Sequence, residues 1–365
     1  MPEIRKGAAL EICRFALMIG LIMPGLAFLA ALPENGRIQK NEETSVSPLD
    51  KLPPYVRQLT YFGERADWSH DGKRILFLEK TFGDVYEAEV ATGIIRPMTH
   101  HFFHEGYTRA LYLGNGDILL SGVGEGHYDA SNPGASRNED KAELWVLKHD
   151  LSGPPIPLKE HCSEGPAVSR TRMRIAWTRL KAFYMAEIVF KDDTYSLANK
   201  RKVLDEKDFP HTTSLETQNF RPPLERELIF TYGYQKPPEK RRRYEVMGLD
   251  IETGKVMNYS KAPDQYNEPE GIFPDGNFTT VECDRHNPQG IQYIDIYKLA
   301  LDGSGKMERL THFADYPGYK ASNPVISDDG RTLAFQFARQ GDPAGVGRGI
   351  LIFDLQKYEE MKNQR

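Results

Sequence analysis

Short runs of apolar residues, separated by polar turns, recur along most of the chain. The segments Asp67–Phe77 (DWSHDGKRILF) and Pro324–Phe335 (PVISDDGRTLAF) share one pattern. Each has a hydrophobic stretch, a serine, an Asp-Gly step and a second hydrophobic stretch that ends in phenylalanine. Asp-Gly favours a tight hairpin because these residues tolerate the positive φ that such a turn needs. Each segment is therefore predicted to form two antiparallel strands rather than a helix.

Four further segments carry the same pattern with weaker turns. Glu270–Val281 keeps Asp-Gly and Ala110–Leu120 has Asn-Gly, whereas Pro166–Trp177 and Phe220–Phe230 lack the glycine. The six turns follow one another at intervals of roughly 50 residues, which is enough for four short strands and a loop. We therefore expect six repeats of one four-stranded unit.

The two ends of the repeated region complement each other. The last repeat has a third strand at Gly349–Leu355 but no fourth, and Tyr55–Tyr61 precedes the first repeat as an extra strand. Pairing of these two segments would close the sheets into a ring and leave only short, protected edges. The predicted fold is thus all-β, a six-bladed β-propeller over residues 55–365 that is closed by an N-terminal strand.

These motifs resemble the TolB-like, WD-like propeller repeat, in which a Ser-Pro-Asp-Gly turn follows an Arg-Leu-Thr strand end. The resemblance covers residues 55–355 and rests on the two Asp-Gly segments and on the strand ends RQLTYF and RLTHF. Both serine turns lack the family's proline, and two repeats lack the glycine. The family includes periplasmic parts of envelope complexes and propellers that gate peptidases, so the resemblance implies the fold more than a function.

The N-terminus is predicted to direct export. Basic residues precede an uncharged run from Phe15 to Leu32, which is the pattern of a signal peptide and is just long enough to span a membrane. We interpret residues 1–32 as a signal peptide or membrane anchor, and the polar residues 33–54 as a linker. The expected location is periplasmic or extracellular, with a membrane tether through residues 15–32 if the segment is retained.

Composition narrows the possible partners. The chain has 39% hydrophobic residues, enough for a sizeable core, and a net charge of -5, which gives no reason to expect nucleic acid. Of the three cysteines, Cys162 and Cys283 fall in the folded region, in blades that are not neighbours. Because a disulfide needs Cα atoms within about 7 Å, we expect these two to stay unpaired.

Sequence motifs favour a binding protein over an enzyme. The chain has no Gly-x-Ser-x-Gly, no phosphate-binding loop and no His-Glu-x-x-His, and its cysteines fit no zinc spacing. We therefore predict a monomeric binding or scaffold module of the cell envelope, with a protein or glycan partner and no catalytic residues. The alternative is a propeller enzyme, such as a metal-dependent polysaccharide lyase or hydrolase. It is suggested by rim carboxylates and by loop histidines, among them the clustered His100, His101 and His104.

Three Glu-Gly pairs suggest a binding site at the channel mouth. Each precedes a predicted innermost strand, so their carboxylates would converge, repel one another and favour a divalent cation or an ammonium group. The opposing interpretation is that they are solvated rim residues. A divalent cation at the mouth is the one candidate cofactor. Flanking residues would come from the loop Val123–Ala142 and from neighbouring blades. The candidate ligand-binding residues are Glu105, Glu164, Glu270, His127, Arg285, His286 and Arg348.

Overall fold

The computed structural model describes residues 46–137, 141–163, 165–342 and 345–364. The signal or anchor segment, most of the linker and Glu164 lie outside the described residues. The described part contains six four-stranded antiparallel sheets, whose innermost strands contact one another in succession around a ring. The fold is a six-bladed β-propeller, as predicted.

The strands of each blade run from the ring axis outwards, except that the chain enters as β1 (Val56–Gln58), the outermost strand of blade 6. Blade 1 contains β2 (Glu64–Trp68), β3 (Arg74–Leu78), β4 (Val85–Glu89) and β5 (Ile95–Pro97). Blade 2 contains β6 (Tyr107–Tyr112), β7 (Ile118–Val123), β8 (Ala142–Leu147) and β9 (Ile156–His161). Blade 3 contains β10 (Ala167–Val168), β11 (Arg174–Arg179), β12 (Ala182–Lys191) and β13 (Thr194–Asp205).

Blade 4 contains β14 (Thr212–Phe220), β15 (Glu227–Tyr234), β16 (Arg243–Asp250) and β17 (Val256–Asn258). Blade 5 contains β18 (Asn267–Ile272), β19 (Phe278–Cys283), β20 (Asp295–Ala300) and β21 (Met307–Arg309). Blade 6 contains β22 (Tyr319–Ile326), β23 (Thr332–Arg339) and β24 (Ile350–Asp354), and α1 (Leu355–Asn363) follows it. Single 3-10 turns occur at Pro48–Lys51, Pro133–Arg137, Glu206–Asp208, Ile291–Tyr293 and Phe313–Asp315. None of the described helices is long and apolar enough to cross a membrane.

The ring closes through β1, as the sequence predicted. This strand pairs antiparallel with β24, with Val56 opposite Phe353 and Gln58 opposite Leu351. Just beyond β1, the N–H of Leu59 donates to the carbonyl of Ile350 at 2.8 Å. Blade 6 is therefore built from both ends of the described chain.

The recurring serine explains the geometry of the hairpins between the first two strands of each blade. The hydroxyl of Ser69 donates to Asp71 (2.6 Å) and accepts a backbone N–H five residues further on (2.9 Å), while Gly72 takes a φ of 67°. Ser327 makes the equivalent bonds in blade 6. In blade 4, where the glycine is missing, Glu225 itself adopts a positive φ of 51°. All six predicted turns are confirmed, including the degenerate ones.

A threonine just after the fourth strand, in Arg-Pro-Met-Thr of blade 1 and Arg-Leu-Thr of blade 5, ties neighbouring strands together. The hydroxyl of Thr99 donates to Asp84 (2.8 Å) and accepts the N–H that follows this aspartate (2.9 Å). Thr311 does the same with Asp295 (2.8 and 2.9 Å). The motif thus satisfies polar groups at the start of the third strand in blades 1 and 5.

The two cysteines of the propeller are buried, and no disulfide joins them. The Cys162 thiol donates to the carbonyl of Ser163 (2.6 Å). Burial raises the pKa of the Cys283 thiol to about 12. The predicted absence of a bridge between these blades is confirmed.

Candidate functional site: a charged axial cavity

A cavity of about 390 Å³ lies on the ring axis where the innermost strands begin. We call this end of the ring the upper face; it carries the connections between blades and the turns between second and third strands. The lower face carries the serine hairpins. Acidic and basic side chains from five blades line the cavity. They are Glu64, Arg65, Arg109, Arg137, Glu216, Glu268, Glu270, Glu282, Lys320 and Asp342.

The axial space continues below this cavity but is divided. Two further cavities, of about 70 and 250 Å³, follow towards the lower face, and Arg170 lines both. From the hairpin of blade 3, Arg170 donates to the carbonyl of Trp68 in blade 1 (2.9 Å) and to Asp328 in blade 6 (2.6 Å). His70 binds the other oxygen of Asp328 at 2.8 Å. Because blades 3 and 6 face each other, this bridge crosses the axis.

The charges of the upper cavity are arranged as two opposed walls. The arginine wall consists of Arg65, Arg109 and Arg137, from blades 1 and 2. The glutamate wall consists of Glu216, Glu268, Glu270 and Glu282, from blades 4 and 5. The walls meet at Arg109, whose Nη2 lies 3.8 Å from Glu216 Oε1 and 3.9 Å from Glu270 Oε2.

The side chains that meet between the walls are largely buried, although 22% of the Glu216 side chain is exposed. Only 12% of the Arg109 side chain and 8% of the Glu270 side chain are exposed. Arg109 sits beyond hydrogen-bonding distance of both glutamates. Among the described residues, none donates a hydrogen bond to the carboxylate of Glu216. Asn323 donates to Glu270 through its side chain (3.0 Å) and to Glu282 through its backbone N–H (2.6 Å).

Each wall concentrates charge of one sign. Burial raises the pKa values of Glu216, Glu270 and Glu282, and the neighbouring carboxylates raise them further. Potential ligand oxygens of Glu268, Glu270 and Glu282 lie within 4.8 Å of one another. On the opposite wall, burial and the nearby guanidinium groups lower the pKa of Arg137 to about 9. The glutamate wall therefore favours a cationic group and the arginine wall an anionic one.

The described Glu-Gly pairs do not occupy equivalent positions. Glu270 lies within β18 and lines all three axial cavities. Glu105 precedes β6 and does not line the upper cavity. Its carboxylate accepts three backbone N–H groups, those of Gly126 (2.7 Å), His127 (3.0 Å) and Tyr128 (2.7 Å). Glu105 thereby anchors the long loop of blade 2, which carries Arg137 to the cavity. Glu164 lies outside the described residues.

The flanking residues named from the sequence are dispersed. Arg348 binds Asp342 through two hydrogen bonds (2.7 and 2.8 Å), and Asp342 lines the cavity. His127 and Arg285 are exposed on loops of the upper face. His286 stacks on Tyr297, with its Nδ1 3.0 Å from the tyrosine hydroxyl. The structure thus brings Glu270 and, through Asp342, Arg348 to the cavity; binding by any of the predicted residues remains a prediction.

The clustered histidines have a structural role. His100 and His104 both bind the carboxylate of Asp84, at 3.0 and 2.8 Å. No histidine is among the described residues that line the upper cavity. The histidine loop therefore gives no support to a metal-dependent enzyme at the axis.

Most of the cavity residues were not among those predicted from the sequence, because the predicted residues lie mainly in loops. Four of the cavity residues lie inside innermost strands: Arg65, Arg109, Glu216 and Glu268. A charged residue within such a strand, as in ERADW or YTRALY, is the signal that would have identified them. In a propeller, that position points to the axis.

Comparisons with known proteins return similarities of shape at low identity. No family model and no curated protein matches the sequence. The structure resembles TolB from Acinetobacter baumannii (15% identity, TM-score 0.41), with 78% of this chain and 63% of the TolB chain covered. The chain thus spans less than two thirds of that protein.

Two other structures of similar shape belong to proteins with different functions in their names. The calcium-binding protein regucalcin from Agrobacterium tumefaciens has 13% identity and a TM-score of 0.45, with 81% of this chain and 92% of that one covered. A chain of a mitotic checkpoint complex has 10% identity and a TM-score of 0.48, with coverage of 92% and 99%. The propeller fold itself is established by the six blades described above.

Proposed function

We propose that the protein is a binding module of the cell envelope that receives a protein or glycan partner at the upper face and in the axial cavity. The observation that carries this proposal is the pair of opposed charged walls on one cavity, where Arg109 lies 3.8 and 3.9 Å from the nearest carboxylate oxygens of the opposite wall. Burying a charge costs several kcal/mol unless it is well paired, so such walls are a poor way to stabilise a ring. Their placement on one open cavity is typical of a binding site.

Exposed apolar side chains around the mouth support the same face. Ile291 and Val346 line the cavity and are exposed, and Tyr61, Phe103 and Tyr128 are exposed on neighbouring loops of the upper face. Aromatic and aliphatic side chains around a polar centre are typical of binding surfaces. The envelope location rests on the predicted export segment and on the sequence resemblance to TolB-like repeats.

A photocrosslinking amino acid tests which face binds the partner. We would place it at Phe103, 80% exposed on the upper face, and as a matched control at Leu224, 77% exposed on the lower face. The full chain would be expressed in cells of its source and irradiated. We expect a discrete adduct from position 103 and none from position 224. Adducts at 224 alone, or the same adducts at both positions, would show that the upper face is not the binding face.

A further inference from the structure

We propose that His70, Arg170 and Asp328 form a pH-sensitive latch at the lower end of the axis, in which a proton on His70 strengthens the bridge between blades 1, 3 and 6. Loss of this proton weakens the bridge but leaves the blades themselves intact. The latch does not involve the upper cavity, so it is independent of the proposed binding function.

The three side chains of the latch occupy one position of the repeat. Each follows the serine of its hairpin, in Ser69-His70, Ser169-Arg170 and Ser327-Asp328. The three serines are equivalent, because each donates its backbone N–H to the carbonyl five residues further on (3.0, 2.9 and 2.9 Å). The TolB-like pattern has proline at the position after the serine. The ring brings the three replacements together across as many as 258 positions of the chain.

The contacts of His70 require a doubly protonated ring. Its Nδ1 lies 2.8 Å from Asp328 Oδ2, and its Nε2 lies 2.8 Å from the carbonyl oxygen of Leu113. An ionised carboxylate and a carbonyl oxygen can only accept hydrogen bonds, and a neutral imidazole has one N–H to donate. Arg170 favours the ionised form of Asp328, because its Nε and Nη2 donate to the other carboxylate oxygen at 2.9 and 2.6 Å. His70 is therefore an imidazolium while both contacts exist.

The charges around His70 set the direction of its titration. The charged groups that face the ring are Asp67 of its own blade, Asp328 of blade 6 and Arg170 of blade 3, and blade 2 contributes the uncharged carbonyl of Leu113. Three other ionic side chains of these hairpins, Asp71, Arg74 and Asp117, bind different partners. The hydrogen bond to Asp328 raises the pKa of His70 above the ordinary 6.5, although partial burial and Arg170 oppose it.

This direction determines when the latch is closed. A raised pKa in the folded state means that the proton stabilises the latch below pH 6.5 and that this stabilisation is lost as pH rises through the pKa of the folded protein. His70 and Asp328 are 27% and 30% exposed, so the pair can exchange protons with solvent. The latch therefore responds to the pH outside the ring.

Loss of the proton also changes the surroundings of Arg170. A neutral His70 can keep only one of its two hydrogen bonds, and Arg170 then remains as the cation shared by Asp328 and Asp67. Its contacts with Asp67 are long, at 3.4 and 3.5 Å. Arg170 lines both of the lower axial cavities, so movement of its side chain would connect them.

An NMR titration of the full chain, labelled with ¹⁵N in histidine and arginine, tests the latch. The His70 signals are assigned by their loss in His70→Gln, and the Arg170 Nε signal by its loss in Arg170→Lys. We expect His70 to titrate with a midpoint above pH 6.5 and the Arg170 signal to shift with the same midpoint. In Asp328→Asn the His70 midpoint should fall. Asp275→Asn, an exposed carboxylate in the hairpin of blade 5, should leave both signals unchanged.

Thermal unfolding gives a second measurement. His70→Gln keeps a hydrogen-bonding side chain that cannot be protonated. We expect its melting temperature to lie a few degrees below that of the wild type under pH 6.5, and the difference to disappear as pH rises through the His70 midpoint.

Four results would overturn the latch. Two concern His70 itself: a midpoint at or below 6.5 in the wild type, and a midpoint that Asp328→Asn does not move. The third is an Arg170 signal that stays constant while His70 titrates. The fourth is a stability difference that is the same at every pH, because a purely structural contact acts without the proton. If a variant failed to fold, the two midpoints of the wild type would still decide the question.

Discussion

At the scale of single residues, buried carboxylates outside the axis contrast with those of the cavity because their hydrogen bonds are complete. Glu87, 3% exposed, accepts hydrogen bonds from His149 (2.7 Å), Tyr112 (2.5 Å) and Arg96 (2.7 Å). Burial alone would raise the pKa of Glu87, but these three contacts outweigh it and lower the pKa to about 2. Glu87 therefore stabilises blade 1, whereas no described residue donates a hydrogen bond to the carboxylate of Glu216 in the cavity.

Replacing Glu87 should change how stability depends on pH. The pKa of Glu87 is depressed in the folded state, so its contribution is fully present above the ordinary glutamate pKa of 4.5 and is lost as pH falls towards 2. We expect Glu87→Gln to lower the free energy of unfolding at pH 7 by about 3 kcal/mol. The loss relative to wild type should shrink between pH 4.5 and 2, as measured by urea unfolding.

The matched control is Glu89→Gln, an exposed carboxylate two residues along the same strand. This change should alter the free energy of unfolding by no more than about 0.5 kcal/mol. If the two variants showed the same stability and the same pH dependence, the bonding of Glu87 would have no energetic role.

At the scale of elements, one short strand determines whether the ring is closed. β1 covers an edge of β24, and Val56 and Leu59 beside it are buried. An uncovered edge presents unpaired N–H and C=O groups to other chains. The stability of blade 6 therefore depends on three residues that lie almost 300 positions from their partners.

Two truncations would measure the contribution of β1. Deletion of residues 1–45 stops short of the described propeller and should leave thermal unfolding unchanged. Deletion of residues 1–61 removes β1 with Val56 and Leu59, so we expect a loss of at least about 3 kcal/mol from apolar burial and a tendency to oligomerise. Calorimetry and size-exclusion chromatography distinguish the two. A monomeric 62–365 chain with unchanged melting temperature would disprove closure by β1.

At the scale of the whole molecule, the sequence predicted the ring but little of its interior. Turn chemistry is local, so the hairpins could be located even where Glu225 replaces glycine. The walls of the cavity depend on which side chains of separate blades face the axis, and this follows only from the closed ring. Glu105 illustrates the limit, because its Glu-Gly pair matches that of Glu270 in sequence but anchors a loop instead.

The location of the molecule can be tested through its N-terminal segment. Alkaline phosphatase is active only where its disulfides form, outside the bacterial cytoplasm. We expect a fusion of the full chain to this enzyme to be active in a bacterial host, and the same fusion without residues 1–32 to be inactive. The propeller should melt at the same temperature in both fusions, since β1 begins at Val56. Equal phosphatase activity from both fusions would contradict export by residues 1–32.

The bridge made by Arg170 determines in what way a long molecule can be bound. It joins blade 3 to blades 1 and 6 beneath the cavity, so the axis is blocked by a bonded side chain rather than left as a bore. A polymer cannot thread through such a ring and can offer it only a terminus. Capture would be limited to chain ends, movement along a chain would be impossible, and a second molecule could enter only after the first had left by the same opening.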